Sequence, residues 1–277
     1  MKILITGANG QLGRELTNQY KKQANIDLTL TVSSSLDITN VKEVYSFVNI
    51  IKPDVIINCA AYTSVDKCET EIDLAYRVNT MSPKNLAAAA NQIGASIVHV
   101  STDYVFDSNE YKLLTEFDSV NPQSIYGKSK LQGEFLVKSH NPKHYIVRTA
   151  WLYGDGNNFV RTMINLSKTN NEVKVVNDQM GTPTSTVDVS RVIIRLVEDS
   201  NYGLFHCNCK GECTWYELTK EIFRLKGITT KVLPCTTEEF KRLAKRPKFS
   251  VLRNYMLELT TGDITRNWDE ALEDYLR

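Results

Sequence analysis

Short apolar runs separated by amphipathic stretches recur through the first half of the chain. The first run, Lys2-Ile3-Leu4-Ile5-Thr6, ends in Gly7-Ala8-Asn9-Gly10-Gln11-Leu12-Gly13. Beyond it Leu12, Leu16 and Tyr20 fall at i, i+4 and i+8, one stripe of a helix. Residues 28–32 predict a second strand, and 53–63 a third that runs out into small side chains. Residues 96–100 predict a fourth and 144–149 a fifth. Between the third and fourth, the spacing predicts a helix over 72–78 and another over 83–93, with Ser82 as N-cap, Pro83 at its first position and Gly94 as its stop. Strands alternating with helices at these lengths imply parallel strands joined by right-handed crossovers, an α/β fold built on a doubly wound Rossmann sheet.

Beyond Trp151 the pattern loosens. Helices are predicted over 159–168, 187–198, 214–225, 238–243 and 268–276, and a strand over 173–176, with loops at 154–158 and 178–184. The expectation is a dinucleotide-binding domain of residues 1–150 plus about 184–206. A smaller, discontinuous α+β lobe of about 151–183 and 207–277 would carry substrate recognition.

Composition narrows the function classes. Among 277 residues, 42% are hydrophobic and 23% charged, as in ordinary globular proteins with a sizeable core. A net charge of +1 argues against a nucleic-acid partner and against a polybasic membrane surface. No apolar run is long enough to span a bilayer, and with the first predicted strand at Lys2 no leader is expected. The six cysteines are therefore expected as reduced thiols in a cytoplasmic protein.

The glycine turn is the first piece of chemistry. Between a buried strand and a helix, G-x-x-G-x-x-G lets a pyrophosphate approach bare backbone N–H groups at a helix N-terminus, where the dipole favours negative charge. The acid that usually follows the second strand and bonds the adenine ribose is replaced by Ser33-Ser34-Ser35; Asp37 comes late, and Arg14 stands where it could meet a 2′-phosphate. NADPH is expected over NADH, with both admissible. Cys59, among small residues, is expected as a buried small hydrophobe.

The second piece is Ser101-Thr102-Asp103-Tyr104-Val105-Phe106 followed by Tyr126-Gly127-Lys128-Ser129-Lys130. Tyr126 and Lys130 at i, i+4 share a helix face. A free phenol titrates near ~10, and a neighbouring ammonium would lower that value and make Tyr126 a usable proton donor. Thr102 would orient a substrate carbonyl, and Asp103 would add a polar contact.

With these motifs the chain resembles the dTDP-4-dehydrorhamnose reductases, extended short-chain dehydrogenases/reductases. The resemblance extends over nearly the whole chain. Its other carriers are Leu36-Asp37-Ile38, Asn58-Cys59-Ala60-Ala61-Tyr62-Thr63, Arg148-Thr149-x-Trp151, Gly156-Asn157-Asn158-Phe159, Asn177-Asp178-Gln179-x-Gly181-x-Pro183-Thr184 and Arg246-Pro247. The resemblance implies NAD(P)H-dependent reduction of the C4 ketone of a dTDP-linked 4-keto-6-deoxy sugar to dTDP-L-rhamnose. Tyr126 would be the proton donor, with Lys130 and Thr102 beside it. It implies Gly7, Gly10, Gln11, Leu12, Gly13, Arg14, Asp37, Ile38, Ala61, Tyr62 and Thr63 at the cofactor, together with Tyr126 and Lys130. Thr102, Asp103, Trp151, Asn158 and Arg246 would meet the substrate. A reductase giving 6-deoxy-L-talose and a non-catalytic regulatory subunit of similar fold stay open. A homodimer is compatible. Glu15 has a counterpart in relatives that place magnesium at a dimer contact, but the second acid expected there is not matched at Val187, so no metal is expected. The dense His206-Cys207-Asn208-Cys209-Lys210-Gly211-Glu212-Cys213 lacks the usual zinc spacing.

Overall fold

The computed structural model describes residues 1–108 and 110–277. Six parallel strands form the main sheet: β1 (Lys2–Thr6), β2 (Asp27–Thr31), β3 (Val55–Asn58), β4 (Ser96–Thr102), β5 (His144–Thr149) and β6 (Gly203–His206). Their order is β6-β5-β4-β3-β1-β2. Strand order reverses between β1 and β3, and that switch point is where open α/β sheets leave a ligand crevice.

Side-chain alternation explains why both faces are covered. Ile3, Ile5, Val55, Ile57, Val98, Tyr145 and Val147 point to one face. They pack under α1 (Gln11–Tyr20) and α5 (Thr186–Glu198), which contribute Leu12, Leu16, Val189, Val192 and Ile193. Leu4, Ile56, Ile97 and Ile146 point to the other. There they meet α2 (Val41–Ile51), α3 (Ser82–Gln92) and α4 (Ile125–His140) through Val44, Val48, Leu86, Ala90 and Val137. Each of the larger aliphatic side chains contributes about 1.5–3 kcal/mol on full burial, so two such layers lock the strand ends in register.

Three expectations are corrected. Residues 72–92 are not two helices with a cap between them but one helical run: Ile72–Tyr76, a π-helical segment Arg77–Met81, then α3. Ser82 is therefore inside the run, its hydroxyl donating to the Arg77 carbonyl at 3.1 Å rather than capping. Second, the predicted helix at 238–243 is absent. Glu239 and Thr236 exchange cap-like bonds (2.7 and 3.2 Å), but the chain then bends to bring the Ala244 N–H to Asp66 at 3.1 Å. Third, Lys231–Cys235 and Gly203–His206 are strands that the pattern did not mark, the former carrying Pro234 and the latter only four residues long.

The second lobe stands over the carboxyl ends of the main sheet. Glu172–Val176 pairs with Lys231–Cys235, and Met180–Gly181 lies between Cys213–Thr214 and Phe249–Ser250. Helices Phe159–Ser167, Trp215–Lys226 and Trp268–Leu276 close its own core around Val160, Ile222, Phe223 and Leu272. Thr214 and Glu217 form a full capping box that starts the middle helix. Cys207, Cys209 and Cys213 are separately buried as small apolar side chains, and among the described residues no three metal-ligating groups gather. No helix among the described residues is long and apolar enough to cross a membrane.

Candidate active site

A cleft of about 490 Å³ opens at the switch point. Its floor is the glycine turn. Gly7 has φ +66°, and a Cβ there would lie 2.7 Å from the Ala60 nitrogen, so only glycine lets β1 turn against the end of β3. A Cβ on Gly13 would lie 2.8 Å from the Ala8 Cα, so its absence lets α1 settle onto the turn. Gly10 precedes α1 with extended backbone and offers no side-chain cap. The first N–H groups of α1 thus face the cleft without a protein side chain, the arrangement that accepts a pyrophosphate. Gln11, Leu12, Arg14, Ala61 and Thr63 continue this wall. A nicotinamide dinucleotide fits these residues.

The opposite wall carries the reactive groups. β4 delivers Ser101, Thr102 and Asp103, and the Thr102 hydroxyl accepts the Tyr104 N–H at 3.2 Å while donating to the Asp103 carboxylate at 2.9 Å. Ser124 caps α4 by accepting the Gly127 N–H at 3.1 Å, which places Tyr126 in the first turn and Lys130 one turn later. The Tyr104 ring stands edge-on to Tyr126, centroids 5.4 Å apart. A Cβ on Gly127 would collide with the Tyr104 backbone, so glycine permits this approach.

Electrostatics differ from expectation. Burial pushes the Tyr126 phenol up, and the Thr102 hydroxyl is the largest opposing influence. The Lys130 ammonium is 2% exposed and donates to the Val100 carbonyl at 2.6 Å. Burial lowers its pKa to about 8, partly resisted by Glu134. In this state the lysine charge is directed at the backbone of β4 rather than at the phenol. Asp103, 3% exposed, is raised to about 6 by burial.

Behind these groups lies a buried ion pair. Arg148 of β5 bonds both oxygens of Glu134 (3.0 and 2.7 Å), and the Ser101 hydroxyl donates to the same carboxylate. Both charged side chains are about 5% exposed or less. Sequence reasoning missed this pair, although Tyr126, Lys130 and Glu134 form one i, i+4, i+8 stripe and Arg148 is a charge inside an apolar strand. It also missed Asn79. The π-helical segment turns this side chain inward, where it holds the Tyr62 N–H (2.8 Å) and carbonyl (3.1 Å) and reaches the Ser129 hydroxyl at 3.2 Å. A one-residue widening of a helix leaves no mark in hydrophobic spacing, but π-segments cluster at functional sites.

The cleft continues past Asp103, Tyr104 and Trp151 into a second of about 540 Å³. Trp151, Phe159, Trp215 and Phe240 wall it with aromatic surface, and Arg242, Arg246 and Gln179 supply polar groups. Trp151 stacks on Trp215 (3.5 Å, 8°) and has φ +46°, a strained value for a non-glycine residue. Arg246 donates to the Tyr104 hydroxyl and to Asp66, both at 2.9 Å.

Of the expected site residues, Gly10, Gln11, Leu12, Gly13, Arg14, Ala61, Thr63, Thr102, Asp103, Tyr126, Lys130 and Trp151 line the first cleft, and Arg246 the second. Gly7 lies beneath the turn. Four others lie outside the lining. Asp37 is exposed and accepts from Thr39 (2.9 and 2.7 Å); Ile38 is buried in the core under α3. The Tyr62 phenol donates to Glu71. Asn158 caps the helix Phe159–Ser167 and bonds Gln11 at 3.1 Å, tying the second lobe to the glycine turn, while its neighbour Asn157 lines the cleft.

A glycine turn at a β1/β3 switch point, faced by Thr102, Tyr126 and Lys130, defines a short-chain dehydrogenase/reductase of the extended type. Comparison with known proteins narrows the class. The model of the RmlD substrate binding domain family matches residues 1–277. The crystal structure of a dTDP-4-dehydrorhamnose reductase from Clostridium acetobutylicum is 66% identical, with a TM-score of 0.98 over 100% of this chain and 98% of that one. The Bacillus anthracis enzyme of the same name, solved in complex with NADP, is 43% identical with a TM-score of 0.96, over 99% of this chain and 98% of that one. The Bacillus subtilis spore coat polysaccharide biosynthesis protein SpsK is 40% identical over 100% of this chain and 97% of its own length. The chain belongs to the dTDP-4-dehydrorhamnose reductase family.

Proposed function

We propose that this protein reduces the C4 ketone of dTDP-4-dehydro-L-rhamnose to dTDP-L-rhamnose at the expense of NADPH or NADH, NADPH being preferred. The observation that carries this is the meeting, at one cleft, of an uncapped glycine turn with Thr102, Tyr126 and Lys130, and its continuation into an aromatic, arginine-bearing cleft. The first half suits a dinucleotide. The second suits a pyrimidine nucleoside diphosphate, with aromatic surface for the base and guanidinium for phosphate.

Held by the glycine turn, a nicotinamide dinucleotide would supply the hydride for C4. The developing alkoxide then takes its proton from the Tyr126 phenol, giving the secondary alcohol. Burial holds the Tyr126 phenol in its neutral form, so that it carries a proton to give. Lys130, one helical turn beyond Tyr126 and bonded to the Val100 carbonyl, is the buried cation of this wall, and Glu134 helps to keep it charged. Arg14, paired with Asp155 at 3.4 Å in this structure, is the guanidinium at the glycine turn that would turn to a 2′-phosphate. Arg246 is held by Asp66 and Tyr104 on the wall of the substrate cleft.

The test is a coupled assay with the keto sugar nucleotide and each dinucleotide, with the product identified by NMR. Tyr126→Phe is expected to lower kcat by about 10²–10⁴-fold with cofactor affinity retained. Arg246→Ala is expected to raise KM for the sugar nucleotide by about tenfold or more, the loss of a charge-assisted phosphate contact. Wild-type protein inactive with both dinucleotides, or a fully active Tyr126→Phe, overturns the assignment.

A further inference from the structure

We propose that Asp103 is a positioning residue whose protonation sets which way the Thr102 hydroxyl points, and that it returns a proton to Tyr126 through Thr102 after each turnover. The inference rests on the reductase assignment above. A threonine hydroxyl carries one hydrogen and can donate only once. Here that hydrogen is given to the Asp103 Oδ1 at 2.9 Å, while the oxygen already accepts the Tyr104 N–H at 3.2 Å. So long as Asp103 is ionised it can only accept, and it competes for the one threonine hydrogen with a ketone in the cleft and with the Tyr126 oxygen that Thr102 also faces. Once Asp103 is protonated its O–H donates to Thr102, and the threonine hydrogen is free to turn into the cleft. Orientation of a ketone by Thr102 is therefore strongest in the acid form of its neighbour.

The site favours that form for geometric reasons. Asp103 is 3% exposed, its Oδ2 is buried without a hydrogen-bond partner, and among the described residues no lysine or arginine pairs with it. An ionised carboxylate so placed is costly, and protonation removes the charge. The groups that face it are the Tyr104 and Tyr126 phenols, which burial keeps neutral, and the Ser250 hydroxyl from the second lobe. Arg246 reaches this side only through the Tyr104 oxygen, and Lys130 on α4 is turned to the Val100 carbonyl. The carboxyl accordingly titrates at about 6 in place of the ordinary carboxylate range, and the anionic phosphates of bound ligands push in the same direction.

The proton balance is closed. Tyr126 gives its proton to the C4 alkoxide and becomes a phenolate. The Thr102 hydroxyl gives its hydrogen to the phenolate and takes one from the Asp103 carboxyl. Phenolate plus carboxylic acid thereby become phenol plus carboxylate, with no change in Thr102, and Asp103 reloads from water in the open cleft.

The decisive measurement is the pH profile of kcat/KM for the sugar nucleotide at saturating cofactor. Wild-type enzyme is expected to lose activity above a midpoint at or above about 6, up to tenfold per pH unit, separately from the loss near 8 when Lys130 deprotonates. Asp103→Asn keeps the shape of the side chain but cannot titrate. It is expected to lower kcat about tenfold and to abolish the lower-pH limb while the limb near 8 stays. Thr102→Ser should retain both limbs, and Thr102→Val should lose the lower one, which keeps the test alive should Asp103→Asn fail to fold. A purely structural role for Asp103 would lower activity and leave the profile unchanged. That outcome, or an unaltered lower limb in Thr102→Val, overturns the proposal. Absence of wild-type turnover overturns the reductase assignment instead.

Discussion

Gly133 offers the sharpest test of how packing positions the reacting groups. It lies in α4, seven residues beyond Tyr126, where the helix passes the π-helical segment Arg77–Met81. A Cβ built on Gly133 falls on the Asn79 carbonyl oxygen, far inside van der Waals contact, and lies 3.5 Å from the His99 Nε2. The obstacle is backbone, so Gly133→Ala can be accommodated only if α4 and the π-segment separate by roughly 1 Å. Two effects compete. Alanine gains about 1 kcal/mol over glycine within a helix, and overpacking costs about 1–3 kcal/mol. The net loss is about 0–2 kcal/mol, only a few degrees in Tm. Catalysis is more sensitive, because α4 carries Tyr126 and Lys130 and a displacement of about 1 Å can cost 10²-fold in rate. Gly133→Ala is therefore expected to melt within about 8 °C of wild type yet to lose most of its kcat. The assay pairs a thermal melt with steady-state kinetics, using exposed Gln132→Ala as a control for propensity. A Gly133→Ala protein that is stabilised and fully active would refute the close contact.

Two further outcomes are expected. Arg148→Ala would leave Glu134 buried and unpaired, costing about 3–5 kcal/mol in urea unfolding; a loss below about 1 kcal/mol would sink the idea that the pair holds β4, β5 and α4 together. The pH dependence of stability follows from two buried neutral histidines, His99 and His206, both lowered by burial, the latter to about 3. Because their folded values lie below the unfolded value near ~6.5, the unfolded chain binds more protons as pH falls, and stability is lost from about 7 downward. Asp103, raised to about 6, and Glu116, also raised by burial, act in the opposite sense but stand against three lowered histidines once half-buried His144 is counted. The urea midpoint should fall between pH 7.5 and 5.5, and a constant or rising midpoint would contradict this account.

Much of the site was legible because its chemistry is local. Gly7, Gly10 and Gly13 share one turn, and Tyr126 and Lys130 one helix face, so spacing alone brings each set together. Asp37, Ile38, Tyr62 and Asn158 were drawn from resemblance, and the structure places their side chains in a surface turn, a core, an exposed phenol contact and a helix cap. The Glu134–Arg148 pair and the role of Asn79 were illegible because each joins residues far apart in the chain across an interior. A hydrophobic pattern records which residues are inside but not which polar partners meet there.

The sequence by itself determined the alternation of strands and helices, hence a doubly wound sheet, and the residue types at its carboxyl edge. Those follow from periodicity and turn chemistry, which act over a few residues. Only the tertiary structure decided the electrostatic state of the site. Tyr126 is raised rather than lowered because burial outweighs any help from Lys130, whose ammonium is bonded to β4. Thr102 gives its one hydrogen to Asp103 because β4 ends in a turn that sets the two side chains together. Desolvation and hydrogen-bond direction depend on everything packed around a group, and that environment is assembled from all parts of the chain.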